Sequence, residues 1–508
     1  VEILRRGTSL FVDAKTCPTV QSVLAKISVC RTHVMGGRKF LCHDCGETSS
    51  LYNSCGDRHC PGCSGGKRVD FHEKASKLLL PDTSPPMVYY QVVYTLPSEL
   101  SALALANQSE MADLLVGSAW KTLSKSIRQE QGYDPAAISV LHTWNQRLEA
   151  HWHVHLLVPG EGPAIDTENP QGSNWKQATA PPEHRNSDGH YLVNAIHLKT
   201  AFRKRAIARL QWLRKQGKLK LGGKYESLRN DDEWDAFIEK LESKTWVVFI
   251  QPPPTTTSSG GEVVKYLTRY LTGGPISDYR ITAADEHSVT FLAREGTSAG
   301  GERKQVPITL PLQQFMQRWC LHILPEQLTK TRYFGGWSNN RRSQYMTRCR
   351  ASLEQLGRLK PDHPAKPETA CEANEPEENT PPNGDDRTTP GTNDADPKSN
   401  SKSPAAMKCS HCGSDSLTLV SEQPKPSWRD LFWRESETCP AWYAALQREE
   451  HRLYWIAQHG EDIYDCYMQT SVESAKETAS PGRPTTLPAT QPFLSGLTLV
   501  QTYETIPF

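Results

Sequence analysis

The sequence predicts an α+β fold with a Cys-rich zinc module in front of it and a small region behind a linker, on three observations. First, "MVYYQVVYTL" is dense in β-branched and aromatic residues, "EMADLLVGSAWKTLSKSIRQ" has apolar residues at helical spacing, and "AAISVLHTW" and "HWHVHLLVP" are strands joined by the polar turn "NQRLEA". Strand, helix, hairpin is the opening of an α+β domain. Second, the first seventy or so residues are rich in Cys and broken by Gly. Third, residues 358–406 are dense in Pro, Asn, Asp, Glu, Thr and Ser with almost no large apolar residue, which predicts a disordered acidic linker. The expected boundaries are therefore a zinc-binding module over 1–75, a larger domain with a basic helical insertion over 80–350, the linker over 358–406, and a C-terminal module over 407–508 with further candidate metal ligands.

After a loop-like stretch from Gly160 to His190, "HLKTAFRKRAIARLQWLRKQGKL" reads as a basic helix and "TWVVFIQPP" as a further strand. In "GEVVKYLTRYLTGGPIS" a helix is ended by Gly273 and Gly274. No internal repeat is present. With 508 residues, 37% hydrophobic and 23% charged, the composition is that of a globular protein with room for more than one core. No run of about eighteen apolar residues exists to span a membrane. The opening "VEILRRGTSLFVDAKTC" lacks a signal-peptide core, so a cytoplasmic, nucleoid-associated location is expected.

The net charge of +1 hides a segregation: residues 361–400 carry a net of −7 and leave +8 on the rest. Lys199 to Lys224 holds ten Lys or Arg and no acid, and Lys330 to Arg350 holds six and no acid. A solvated helix face normally mixes both signs, so these stripes point to a phosphate backbone. Arg203, Lys204, Arg205, Arg209, Arg341 and Arg342 are the candidate DNA contacts. Tyr333 and Trp337 are either stacking platforms for unpaired bases or core residues.

Of fourteen cysteines, Cys42 and Cys45 form one C-x-x-C pair and Cys60 and Cys63 another, with fourteen residues between the pairs. Four thiolates on two such turns make a closed tetrahedral shell, suited to a structural zinc with no open position for catalysis. Cys30, Cys55 and His59 are further candidate ligands, and Cys409 and Cys412 form a third pair without an evident mate, although Cys439 and Cys466 are available.

In "HWHVHLLVPG" the histidines recur at every second position, so His151, His153 and His155 share one face of a strand. A lone strand histidine is usually a satisfied core residue; three in alternation, with His142 on the neighbouring strand, point to a metal site. Imidazoles without thiolates leave open positions for water or a phosphate oxygen, as a catalytic ion requires. Downstream, Tyr266 and Tyr270 are four residues apart on a predicted helix and project from one face about 6 Å apart. Each is a candidate oxygen nucleophile.

The pattern His153-Val154-His155 on a strand, followed by a Y-x-x-x-Y helix, resembles the HUH endonuclease superfamily and within it the two-tyrosine rolling-circle insertion-sequence transposases. "LYNSCGDRHCPGC", "VVYTLPSEL", "LHTWNQ", "RYLTGGPIS" and "TRYFGGWSNNRR" are similar to further blocks of that family, so the resemblance spans about residues 20 to 345. It implies a ferredoxin-like antiparallel palm with Mg²⁺ or Mn²⁺ on His153, His155 and a third side chain. His142, His151 and Glu262 are the alternatives for that third ligand, with His142 first. It also implies that Tyr266 or Tyr270 attacks single-stranded DNA at the element ends and at the target, leaving a 5′-phosphotyrosine and a free 3′-hydroxyl for strand transfer. A replication initiator or relaxase with the same chemistry, and a non-catalytic zinc DNA-binding protein, are the rivals. The sequence leaves the oligomeric state open.

Overall fold

The computed structural model describes residues 1–12, 16–79, 83–165, 174–182, 191–251, 273–295, 304–359 and 408–459. The N-terminal segment supplies α1 (Glu2–Phe11), α2 (Pro18–Val29), the hairpin β1 (Gly37–Cys42) and β2 (Thr48–Tyr52), and α3 (Ser64–Ser76). Then come β3 (Tyr89–Thr95), α4 (Ser101–Ala106), α5 (Gln108–Glu130), the long hairpin β4 (Ala136–Trp144) and β5 (Ala150–Pro159), and the short pair β6 (Glu161–Pro163) and β7 (Trp175–Gln177). They are followed by α6 (Ala195–Lys215), α7 (Asp231–Ser243), β8 (Val247–Gln251), the meander β9 (Ile281–Ala284), β10 (Ser288–Glu295) and β11 (Lys304–Pro311), α8 (Leu312–Cys320), β12 (Thr331–Gly335) and α9 (Arg342–Gln355). The last described elements are β13 (Leu417–Gln423), α10 (Trp428–Phe432) and α11 (Ala441–His459).

Five antiparallel strands form the main sheet in the order β12-β4-β5-β3-β8, with β5 at its centre. The two-residue alternation sorts its side chains. Tyr94, Leu141, Val154 and Leu156 point to one side, where α4, α5, α6 and α7 bury them under Leu115, Ala119, Phe202 and Trp246. Ile138, Val140 and Leu157 point to the other, against Leu78 after α3 and Tyr345, Cys349 and Leu353 of α9. His142, His153 and His155 continue this second face toward the hairpin end. The predicted strands and the two long helices thus form as expected, and the fold is a mixed helix and antiparallel-sheet arrangement.

The second core joins the N-terminal helices to the meander: Leu24 and Ile27 pack with Phe291, Phe315 and Trp319. Leu148, at the tip of the β4–β5 hairpin, is fully buried in this core, with a φ of 62°. The hairpin carrying the histidines is therefore anchored at its tip by a different part of the chain.

Two expected boundaries change. β13 pairs with β1 along Cys42↔Leu417 to Gly37↔Gln423, so this strand of the expected C-terminal module completes the N-terminal sheet; 460–508 lie outside the described residues. The predicted linker start is also too early: the Arg358 guanidinium holds the buried Glu161 carboxylate, and Leu359 bridges to Thr83. The rest of that stretch, 360–407, lies outside the described residues. Among the described residues no helix is long and apolar enough to cross a membrane.

Candidate active site

His142, His153 and His155 converge: one ring nitrogen from each lies within 4.8 Å of the others. Register explains the convergence, since His142 of β4 sits directly across from His153 of β5, and Val140 across from His155. Ring centroids are 4.7 Å apart for His142 and His155 and 4.9 Å for His153 and His155. Burial pushes His153 down to about 4 and His155 well below its usual value, so both are neutral with lone pairs available near pH 7. The His153 Nδ1–H donates to the His151 carbonyl at 2.9 Å, which leaves Nε2 as the ligating atom. His151 serves through that carbonyl and is not a member of the cluster. Glu262, Tyr266 and Tyr270 lie outside the described residues.

Three neighbours of the cluster were not singled out from sequence. Gln91 of β3, diagonal to His155, places its amide nitrogen 2.8 Å from Nδ1. With Oε1 turned inward it accepts from Nδ1–H and presents the His155 Nε2 lone pair to a cation. Lys330, at the head of β12, lies with its ammonium 4.8 Å from the Trp144 ring, and Trp144 stacks on His142 at 4.7 Å. Burial, with Arg58 nearby, lowers Lys330 to about 8, so it remains mainly cationic at neutral pH beside the imidazoles. His322 accepts from the Thr143 hydroxyl at 3.1 Å through Nδ1 and donates from Nε2 to the Leu148 carbonyl at 3.1 Å, tying the β4 end to the hairpin tip.

Burial lowers His322 to about 4. The unfolded chain takes up this proton below about pH 6.5 and the folded chain only near 4, so the contribution is complete above 6.5 and is lost as pH falls through that window. Between pH 7 and pH 5 the loss is about 2 kcal/mol by linkage. Urea titrations of His322→Asn should show a pH-dependent loss smaller by that amount; an unchanged pH profile would remove His322 from the account.

The cysteines regroup. Cys30, Cys55, Cys60 and Cys63 form one cluster, and Cys42, Cys45, Cys409 and Cys412 form another. The expected four-thiolate site of Cys42, Cys45, Cys60 and Cys63 is therefore corrected: the two pairs serve different clusters, and Cys409 and Cys412 find their mate in the first pair. In the first cluster the Cys30–Cys63, Cys55–Cys63 and Cys30–Cys60 sulfurs are each 3.6 Å apart. In the second, Cys42–Cys412 is 3.6 Å and Cys45–Cys409 3.7 Å. A tetrahedral zinc with Zn–S near 2.3 Å spaces its sulfurs about 3.8 Å apart, so both clusters fit the ion. His59 is not a ligand in either. Its Nδ1–H donates to Asp57 at 3.1 Å, and its Nε2 accepts from the Leu324 backbone N–H at 3.1 Å. Beside it, Arg58 donates to the Leu328 carbonyl at 2.6 Å and the Leu324 carbonyl at 2.9 Å.

Of the expected DNA contacts, Lys204, Arg205 and Arg209 are exposed on α6. Arg203 instead donates to the Glu242 carbonyl at 2.7 Å, Arg341 pairs with Asp134 at 2.5 Å, and Arg342 donates to the Trp337 carbonyl at 3.1 Å and lies over the Tyr333 ring. Those three also hold parts of the fold together. Trp337 is fully buried, which settles it as a core residue.

Family comparisons match these two regions separately. Residues 3–96 match a "Transposase zinc-binding domain" of the IS91 type, and residues 136–344 match the family described as "Putative transposase". The chain is 31% identical over 356 residues to "Putative transposase y4qJ" of Sinorhizobium fredii, covering 69% of this chain and 83% of that protein. It is 25% identical over 336 residues to "Transposase for insertion sequence element IS801" of Pseudomonas savastanoi pv. phaseolicola, covering 65% of this chain and 73% of that one. No solved structure matches. A thiolate-stapled module joined to a sheet with these matches defines a DNA transposase. The chain belongs to the IS91 family of insertion-sequence transposases, which work by rolling-circle transposition.

Proposed function

We propose that this transposase nicks single-stranded DNA at the element ends through a covalent tyrosine link, with the sheet acting as an HUH-type palm. The observation that carries the reading is the convergence of the three imidazoles on the central strand pair. The donor set fits a divalent cation: three imidazole nitrogens, those of His153 and His155 kept neutral by burial, and no thiolate, with a cationic lysine beside them. A bound ion would polarise the scissile phosphate and offset charge developing on it. His142, His153 and His155 would hold that ion, Gln91 would fix the orientation of His155, and Lys330 would face the phosphate. The resemblance assigns the nucleophile to Tyr266 or Tyr270. The phenolic oxygen bonds to phosphorus as the P–O3′ bond breaks; the phenol proton leaves to solvent, the 3′ oxygen is protonated, and the DNA keeps a 5′-phosphotyrosine. Because the ester energy is retained in that link, rejoining requires no ATP, and a second tyrosine allows a second cut while the first link persists.

The test incubates the full chain with end-labelled single-stranded terminal DNA and Mn²⁺ or Mg²⁺ and reads a detergent-resistant adduct. Three imidazole donors favour the softer ion, so Mn²⁺ should saturate at roughly tenfold lower concentration than Mg²⁺. Single Tyr266→Phe and Tyr270→Phe variants should each keep some adduct and the double variant none. Adduct persisting in the double variant excludes both tyrosines. Its absence from the unaltered chain under all conditions favours the non-catalytic DNA-binding alternative.

A further inference from the structure

A second concave surface lies away from the histidines. It is a groove of about 960 Å³ between α5 and α6, on the outer side of the helical layer. Lys121 and Lys125, one turn apart on α5, face Lys204, Arg205 and Arg209 of α6 across it. All five are exposed, and none is paired with a carboxylate among the described residues. The two acids that line the groove are already engaged. Asp113 accepts from Arg332 at 2.7 Å, and Glu130 accepts from the Tyr191 hydroxyl at 2.9 Å and the Asn194 backbone N–H at 2.8 Å. Trp212, 39% exposed at the groove wall, is stacked by the Arg209 guanidinium at 3.9 Å, with the Lys218 ammonium 5.1 Å from the same ring. The indole thereby fixes two cations that would otherwise sweep through solvent.

Five cations against the two acids Asp113 and Glu130, the first of them already paired with Arg332, leave the groove with a surplus of positive charge, so the like charges are relieved when a polyanion enters. Its elongated form, between two helices of 23 and 21 residues, suits a chain of phosphates more than a single small anion. The strands that turn His142, His153 and His155 to one face send Leu141, Val154 and Leu156 under α5 and α6 on the other. A sheet and a helical layer, on the order of 20 Å of protein, therefore separate groove and histidines. We infer that the α5–α6 groove is a second nucleic-acid site that grips a phosphodiester backbone away from the phosphate at the histidines, either a distant part of the same strand or a separate one. This deepens the DNA-binding reading of Lys204, Arg205 and Arg209 but does not depend on the tyrosine chemistry.

The experiment measures binding of fluorescein-labelled DNA to the full chain without added Mg²⁺, Mn²⁺ or chelator, over a salt series. The probes are a 6-nucleotide strand, a 30-nucleotide strand and a 30-base-pair duplex. The variant Lys121→Gln/Lys125→Gln/Lys204→Gln/Arg205→Gln should lose at least about tenfold in affinity for a 30-unit probe and flatten its salt slope by about 2 to 3. Whichever long probe responds identifies the strandedness of the ligand. The 6-nucleotide strand should show no such slope change. Replacing the three lysines by arginine should restore both affinity and slope, which separates charge from folding. The same loss should be seen in a His153→Ala background, so a failure of the histidine reading would leave this result standing. Unchanged affinity and slope for both long probes would overturn the groove.

Discussion

Replacing His153 with alanine is expected to lower adduct formation by about 10²–10³-fold, the loss typical when a preorganised electrostatic element at a developing charge is removed. Of the three imidazoles it has the most determined role. Its Nδ1–H is committed to the His151 carbonyl, its ring lies edge-on to His142 at 5.3 Å, and burial keeps it neutral to about pH 4. Titration with Mn²⁺ by calorimetry or electron paramagnetic resonance gives a readout independent of cleavage, and binding should fall in parallel. A graded comparison follows at Gln91. Gln91→Leu removes the atom that orients His155 and should weaken Mn²⁺ binding by about tenfold, whereas Gln91→Glu keeps an acceptor there and should weaken it less. Unchanged Mn²⁺ affinity in His153→Ala would show that the imidazoles are packing partners, and the proposed chemistry would have to be sought elsewhere.

The histidine site was legible because it obeys a two-residue period. Once "AAISVLHTW" and "HWHVHLLVP" are strands joined by a short turn, His153 and His155 must share a face, and only the register that brings His142 across from His153 had to be supplied by the fold. Gln91, Lys330 and His322 were not legible, because each reaches the site from an element whose position no local pattern encodes. Lys330 was counted within a basic stripe, and nothing in the chain distinguishes it from Arg332, which pairs with Asp113 instead. The cysteines failed for a related reason. Proximity in sequence joined Cys42 and Cys45 to Cys60 and Cys63, whereas their true partners are 364 and 370 residues away. A signal was present all the same. "CHDCG" and "CSHCG" are matching knuckles, each closed by a glycine at positive φ, 74° at Gly46 and 76° at Gly413, with N–H bonds of 2.9 Å back to Cys42 and Cys409. "CPGCS" lacks that glycine and turns directly into α3.

The two thiolate clusters should differ sharply in what their loss does. Cys30, Cys55, Cys60 and Cys63 are all buried in the core that also holds Leu24, Phe291 and Phe315, whereas Cys45 and Cys412 are exposed. A structural zinc contributes on the order of 10 kcal/mol to a small module, more than most domains have to spare. Cys60→Ser is therefore expected to unfold the N-terminal module, while Cys412→Ser should detach β13 from β1 and leave the buried cluster filled. Chelator titration should release zinc in two phases, the exposed site first. The consequence reaches the histidines, because the segment beside the buried cluster is clamped onto the region that bears them: Arg58 and His59 hold the backbone of Leu324 and Leu328, and that loop leads into Lys330 beside Trp144 and His142. Cys60→Ser should accordingly weaken Mn²⁺ binding as well as zinc binding, and Cys412→Ser should not. If both variants bound Mn²⁺ like the unaltered chain, the zinc module would be an independent appendage; if only Cys60→Ser weakened it, the buried zinc would be the brace that fixes the loop against the main sheet.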